Sequence, residues 1–166
     1  MRLDTLKKVT RYALLALMLL TVLFIFYNSM LPPEESQEQS DTIKDVIVEV
    51  LPDNSPSEGF VEKYIRKIAH FSEYGLLGIE VALYIIFFER KRLVYSPLAL
   101  LIPFLVGFLD ESIQSLTDRG PAISDVWIDI GGFATFFLLC FAAFGIAVLV
   151  FYTVKRLRER NIKDTE

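Results

Sequence analysis

The side chains in this sequence that could bind or transfer something are few, and they fall in three short stretches. Lys67, His70, Glu73 and Tyr74 lie within eight residues; Asp110, Glu111 and Gln114 within five; Arg119, Asp125 and Asp129 within eleven. Carboxylates beside an imidazole can hold and move protons. Lysine and arginine can grip a phosphate or a carboxylate. A set such as Asp110, Glu111 and Asp125 could hold a hard divalent cation through oxygen. The same residues could equally do no more than pair with one another and fasten segments together. Other chemistries are closed by counting. A single cysteine, Cys140, cannot form an internal disulfide or a cysteine zinc site, and a single histidine, His70, excludes HExxH and any multi-histidine centre. No nucleophile motif is recognisable.

The elements that must carry these groups are membrane helices. Of 166 residues, 53% are hydrophobic, only 23% are charged, and Phe alone occurs 14 times. With a mean hydropathy of +0.43 the chain is too apolar for an ordinary soluble domain. A spanning helix needs ~20 mostly apolar residues, and four stretches qualify: 12–31, 68–88, 95–116 and 128–152. The first could be a secretory signal, but Tyr27 stands where a cleavage site wants a small residue, so it reads as a retained anchor. Most of the 17 Lys and Arg lie in Arg2–Arg11, Arg90–Arg92 and Lys155–Lys163. Both termini are therefore expected in the cytoplasm. That distribution suits membrane anchoring and gives no sign of nucleic-acid binding. Lys63, Arg66 and Lys67 run against it, beside the outer end of the second span.

The outer loop, 32–67, is long. Glu34–Glu38 after Pro32-Pro33 reads as solvated coil. Ile43, Val46, Ile47, Val50 and Leu51 recur at helical spacing, so a short amphipathic helix is expected outside the membrane, with Asp41 as cap and Pro52 as stop; the alternative is a strand through the β-branched Val46-Ile47-Val48. Ser57 is placed to cap a helix that runs into the second span. The tail, 153–166, is short, basic and expected to fray.

Depth ties the polar residues together. His70 and Glu73 sit in the first turns of the second span; Asp110, Glu111 and Gln114 in the last turns of the third; Arg119 and Asp125 in the short loop that follows; Asp129 near the start of the fourth. All reach one layer, the outer boundary of the membrane. Ionisable groups in apolar helices are costly and face partners or a cavity. Glu80 lies about 15 Å deeper than His70, where it reads as a neutral carboxyl bonded to another helix. It is also the one group deep enough for a relay, should the chain be a transporter subunit. Gly107, Gly131 and Gly132 would allow close helix approach.

At these positions the sequence resembles a known family. KIAHFSEYGLLG (67–78) is similar to the K-x-x-H-F-x-x-Y-x-x-L-G motif of VanZ-like proteins, DESIQ (110–114) to D-E-x-x-Q, and RGPAISDVWIDIGG (119–132) to R-x5-D-x3-N-x2-G. FYNSMLP (26–32) resembles the polar exit of that family's first helix. Two departures stand out: Asp129 replaces the usual Asn, and a Gly expected four residues after the last block is replaced within Phe133–Phe136. The family is named for a protein linked to resistance to teicoplanin-type glycopeptides in Gram-positive bacteria. The resemblance implies a small protein of the cell envelope, with Lys67, His70, Phe71, Tyr74, Asp110, Glu111, Gln114, Arg119, Asp125 and Gly132 as motif residues.

The expectation is therefore an all-α integral membrane four-helix bundle, a single domain over 1–166, with an outer amphipathic helix between the first two spans. Its ligand-binding residues would be Lys67, His70, Glu73, Tyr74, Asp110, Glu111, Gln114, Arg119, Asp125 and Asp129. Its expected partners are membrane lipids together with a lipoglycopeptide antibiotic or a lipid-linked wall precursor. Its expected action is lower susceptibility to lipidated glycopeptides, by binding or exclusion at the outer surface. The rival is a membrane-embedded hydrolase or transferase using His70 with Asp110 or Glu111 as acid and base. No cofactor and no resident metal is expected for the binding reading.

Overall fold

The computed structural model describes residues 3–32, 34–36, 38, 41–42, 58–89, 92–116 and 123–163. Regular structure among them is helical throughout. The main helices are α1 (Leu3–Met30), α2 (Glu58–Phe88), α3 (Arg92–Ala99), α4 (Leu101–Leu116) and α5 (Ile123–Lys163). Four stretches are long and apolar enough to cross a bilayer: Asp4–Met30, Tyr64–Phe88, Pro97–Leu116 and Ser124–Glu159. The chain is a multi-pass membrane protein. Its exposed Leu, Phe, Val and Ile side chains, dense on α1, α4 and α5, are the surface that apolar lipid tails cover.

Local sequence explains where helices start and stop, and corrects four expectations. The third span is broken at Leu100, whose N–H bonds the Pro97 carbonyl at 3.2 Å. Pro103 lacks the N–H that would reach Ala99, and its ring crowds that carbonyl, so α3 and α4 are separate helices. Asp125 belongs to the first turn of α5 and not to the preceding loop, because an acidic residue is favoured at the positive end of a helix. The tail does not fray at 153 but continues as helix to Lys163, helped by an i,i+4 pair, Lys155 Nζ to Glu159 Oε1 at 3.9 Å. Glu34–Glu38 is not coil: 34–36 and 38 are helical, the Ser36 N–H bonding the Pro32 carbonyl at 3.0 Å. Proline followed by two acids is a good helix start. The amphipathic helix expected over 43–51, its stop at Pro52 and the cap at Ser57 lie outside the described residues.

The core runs along the line where α2 meets α5. Its buried members include Ile25, Tyr74, Leu77, Val81, Ala82, Ile85, Phe133 and Phe137. The two helices run parallel and touch backbone to backbone. A Cβ on Gly78 would overlap the Phe133 carbonyl, and one on Gly132 would overlap the Phe71 carbonyl. Gly75 lies under the ring of Phe136, which meets Phe71 edge-on at 6.1 Å. The ring of Phe136 on α5 thus fills the space that Gly75 on α2 leaves. Helix α1 runs antiparallel to α2. At the end of the bundle away from His70 it is fixed by Arg11, whose Nε and Nη2 donate to Tyr84 Oη at 3.0 and 2.6 Å.

This contact gives a paired prediction. Gly131→Ala should leave the unfolding midpoint in detergent unchanged or slightly raised, because nothing lies within 4 Å of the added Cβ. Gly132→Ala should cost about 1–3 kcal/mol through overpacking. Equal effects at the two positions would contradict backbone contact between α2 and α5.

Candidate functional site

Helices α2, α4 and α5 converge at the end of the bundle where α1 ends and α5 begins. Just under two turns from the nearer ends of α4 and α5, and about three turns into α2, they present His70, Asp110 and Asp129 to one another. His70 Nδ1 lies 3.3 Å from Asp129 Oδ1 and 3.6 Å from Asp110 Oδ2; the imidazole is 12% exposed and both aspartates are 0% exposed. The register follows from the glycine contact: with Gly132 against Phe71, the next residue back on α2 meets the residue three back on α5. Among the described residues, neither His70 Nδ1 nor either oxygen of Asp129 has a hydrogen bond of good geometry, and the same holds for the hydroxyl of fully buried Tyr74. That hydroxyl and Asp129 Oδ2 both overlook Gly107: a Cβ there would lie 3.7 Å from the first and 3.3 Å from the second.

Helix α1 supplies the supporting hydrogen bonds. Thr21, Ile25, Asn28 and Ser29 recur at spacings of four, three and one, which puts them on a single face. Ser29 Oγ donates to Asp110 Oδ1. Gln114 Nε2 donates to Asp110 Oδ2 at 3.3 Å, one turn along α4. Asn28 Nδ2 donates to Glu73 Oε1 at 2.7 Å. Deeper in the bundle, Thr21 Oγ1 meets Glu80 Oε1 at 2.8 Å. Asp110 is thus held by two neighbours that fix the direction of its second oxygen, toward His70.

Beside this cluster, between α4 and α5, is a groove of about 710 Å³ lined by Phe104, Phe108, Glu111, Ser112, Ser115, Val126, Trp127 and Ile130. Phe104, Phe108 and Trp127 are more than half exposed, so the groove opens on the apolar flank of the bundle. Glu111 is buried and forms its acidic wall. The partition between groove and cluster is thin. Val126 lines the groove, and its Cγ1 would be 3.6 Å from a Cβ on Gly107, where Asp129 and Tyr74 face the other side.

The expected residues divide accordingly. His70, Tyr74, Asp110, Gln114 and Asp129 meet in one cluster, and Glu73 borders it through Asn28. Glu111 turns to the groove, so the carboxylates at His70 are Asp110 and Asp129. Asp125 is half-buried one turn before Asp129 and accepts a bond from Ser124 Oγ at 3.1 Å. Lys67 is half-buried a turn before His70, and no described ion pair joins it to the cluster. Arg119 lies outside the described residues. Thr21, Asn28 and Ser29 were missed as site residues. The signal available for the last two was the polar pair that closes an otherwise apolar helix in FYNSMLP.

A family model described as VanZ/LLP1 matches residues 14–155. No curated protein and no solved structure matches the chain.

The Thr21–Glu80 bond is the simplest test of how α1 is held. Thr21→Val should destabilise the bundle by about 0.6–1.7 kcal/mol, the range of interhelical hydrogen bonds in membranes. Adding Glu80→Leu should recover most of that loss, since removing both partners leaves no buried polar group without a mate. Reversible unfolding in mixed micelles reads both. An additive double variant would show that the two side chains do not interact.

Proposed function

The chain belongs to the VanZ/LLP1 family, and from that premise we propose that it binds a lipid-tailed amphiphile at the outer leaflet and so lowers susceptibility to teicoplanin-type lipoglycopeptides. The observation that carries this reading is the α4–α5 groove. Its walls are mainly apolar and aromatic, it opens on the apolar flank of the bundle, and Glu111 with Ser112 and Ser115 gives it a polar stretch, with the polar cluster one residue behind. An amphiphile needs such a pair of surfaces: a trough that takes an acyl chain and a polar end that takes hydrogen-bond donors of the head. A teicoplanin-type antibiotic has that build, an acyl chain on a polar peptide head. So does a lipid-linked wall precursor. The Lys and Arg distribution supports an outward-facing site, with both termini in the cytoplasm. Capture of the drug in the groove, or occupation of the leaflet where its tail would anchor, would each reduce the drug reaching its target.

One observation favours a second reading, a membrane-embedded hydrolase or transferase acting on a lipid-linked precursor. His70 stands between two buried carboxylates, an arrangement suited to taking a proton and handing it on. In that case His70 is the acid–base group, Asp110 and Asp129 orient it, and the groove holds the lipid tail.

Drug susceptibility separates these readings. The protein is expressed in a glycopeptide-sensitive Gram-positive host at matched membrane levels with Ser115→Trp, which fills the groove, and with His70→Gln. Binding predicts that wild type raises tolerance to a lipidated glycopeptide more than to vancomycin. It also predicts that Ser115→Trp removes most of the gain and that His70→Gln weakens it in part. Complete loss in His70→Gln with full loss of precursor turnover supports the enzyme. No gain with wild type would exclude a role in resistance.

A further inference from the structure

The atoms of the His70 cluster stand in a relation that neither pairing nor amphiphile binding explains. Nδ1 of His70 and one carboxylate oxygen each of Asp110 and Asp129 lie within 4.8 Å of one another. At 3.6 Å the contact with Asp110 is too long for an N–H···O bond, and at 3.3 Å the contact with Asp129 lacks hydrogen-bond alignment. Two ligands on one tetrahedral ion with bonds of ~2.1 Å are separated by about 3.4 Å. The two separations from His70 Nδ1, 3.3 and 3.6 Å, fall on either side of that value, and the Asp110 and Asp129 oxygens lie within 4.8 Å of each other. We propose that His70, Asp110 and Asp129 hold a divalent first-row cation of the Zn²⁺ or Mn²⁺ type.

The donor set narrows the ion. One imidazole nitrogen with two carboxylate oxygens suits Zn²⁺, Mn²⁺ or Fe²⁺, whereas Ca²⁺ and Mg²⁺ take oxygen ligands and Cu⁺ seeks thiolates. Cys140, the one cysteine, lies about three turns along α5 from Asp129, roughly 16 Å away. The surroundings have the form of a metal site as well. Asp110 is aimed by Ser29 and Gln114, as ligating carboxylates usually are. Asp129 is fully buried, and its one described ion-pair partner is His70, so a dication would offset a charge that the helices otherwise bury at cost. Independently of these three, the buried Tyr74 hydroxyl has no hydrogen bond of good geometry among the described residues and faces the same space as Asp129 Oδ2, above Gly107. Three protein ligands leave a coordination position open, and Tyr74 is placed to bond whatever fills it. The set differs from the all-carboxylate group that the sequence offered, Asp110, Glu111 and Asp125. It also uses the aspartate that replaces the usual asparagine of the VanZ-like motif.

The test is metal retention, which involves neither drug nor precursor and so can fail without touching the reading of the groove. The full chain is purified in detergent, freed of its affinity tag, stripped with chelator, loaded with Zn²⁺ or Mn²⁺, desalted and assayed for bound metal. Wild type and Glu111→Gln should each keep about one ion per chain and unfold at a higher temperature when loaded. Asp129→Asn and His70→Gln should lose affinity by more than the roughly tenfold to hundredfold that loss of an outer partner costs. Asp129→Asn keeps shape and restores the residue usual in the motif, so it is the variant expected to fold. Loading wild type with Co²⁺ gives a readout that needs no variant: a mixed nitrogen–oxygen site of low coordination produces visible absorption bands. No retained ion and no Co²⁺ bands in wild type, or retention in Asp129→Asn equal to wild type, would overturn the proposal.

Discussion

Where α2 crosses α5, Gly78 and Gly132 let each helix rest on the other's backbone at Phe133 and Phe71. In a bilayer there is little hydrophobic gain in bringing two helices together, because lipid tails are as apolar as leucine. Close van der Waals contact and interhelical hydrogen bonds have to supply the attraction. Two glycines on opposite sides of one crossing supply the first of these and also fix rotation and height. A residue-sized slip on either helix would drive a Cβ into a carbonyl. His70 and Asp129 each lie within one turn of this contact, and the distance between them inherits its rigidity.

The polar layer then constrains everything packed against it. Asp110 and Asp129 are wholly buried, and buried anions have to be matched by donors or by a cation. Helix α1 answers with a strip of short hydroxyl and amide side chains on its one inward face, while its other faces keep the Leu and Phe that meet lipid. Helix α4 answers with Gln114, one turn from Asp110. The outward faces of the same helices have a different task. Phe104, Phe108 and Trp127 line a trough that none of the described helices fills. The molecule therefore has a rigid acidic interior and a soft apolar flank, separated at Val126 and Gly107 by the thickness of one side chain.

Much of this was legible before the structure. Span count followed from runs of apolar residues, and the shared depth of His70, Asp110, Gln114 and Asp129 followed from direction of travel through the membrane. The rotation of each helix did not follow. Asp110 and Glu111 are adjacent in sequence and point about 100° apart on a helix. Only packing decides that the first meets His70 and the second faces the groove. Helix ends were read from apolar runs, which is why Asp125 was assigned to a loop and why α5 was stopped too early: polar residues continue a helix readily once it has left the lipid. The break at Leu100 was readable from Pro97 and Pro103 but was hidden by uniform hydrophobicity. Asn28 and Ser29 looked like an exit from the membrane and proved to be donors to Glu73 and Asp110.

The face that α1 turns inward has a consequence for biosynthesis. The first span enters the bilayer carrying Thr21, Asn28 and Ser29 before Glu80, Glu73 and Asp110 have been made. The next span to emerge brings Glu80 and Glu73, so the first hairpin can satisfy two of the three groups by itself. The bond from Ser29 to Asp110 forms only once α4 is made, and the contact of His70 with Asp129 only with the final span. The nascent chain therefore closes its polar layer in stages from one side, and the layer is complete only when the last helix docks. A chain halted after α4 would hold a well-joined α1–α2 pair and a site without Asp129, a partly built species of the sort that membrane quality control removes.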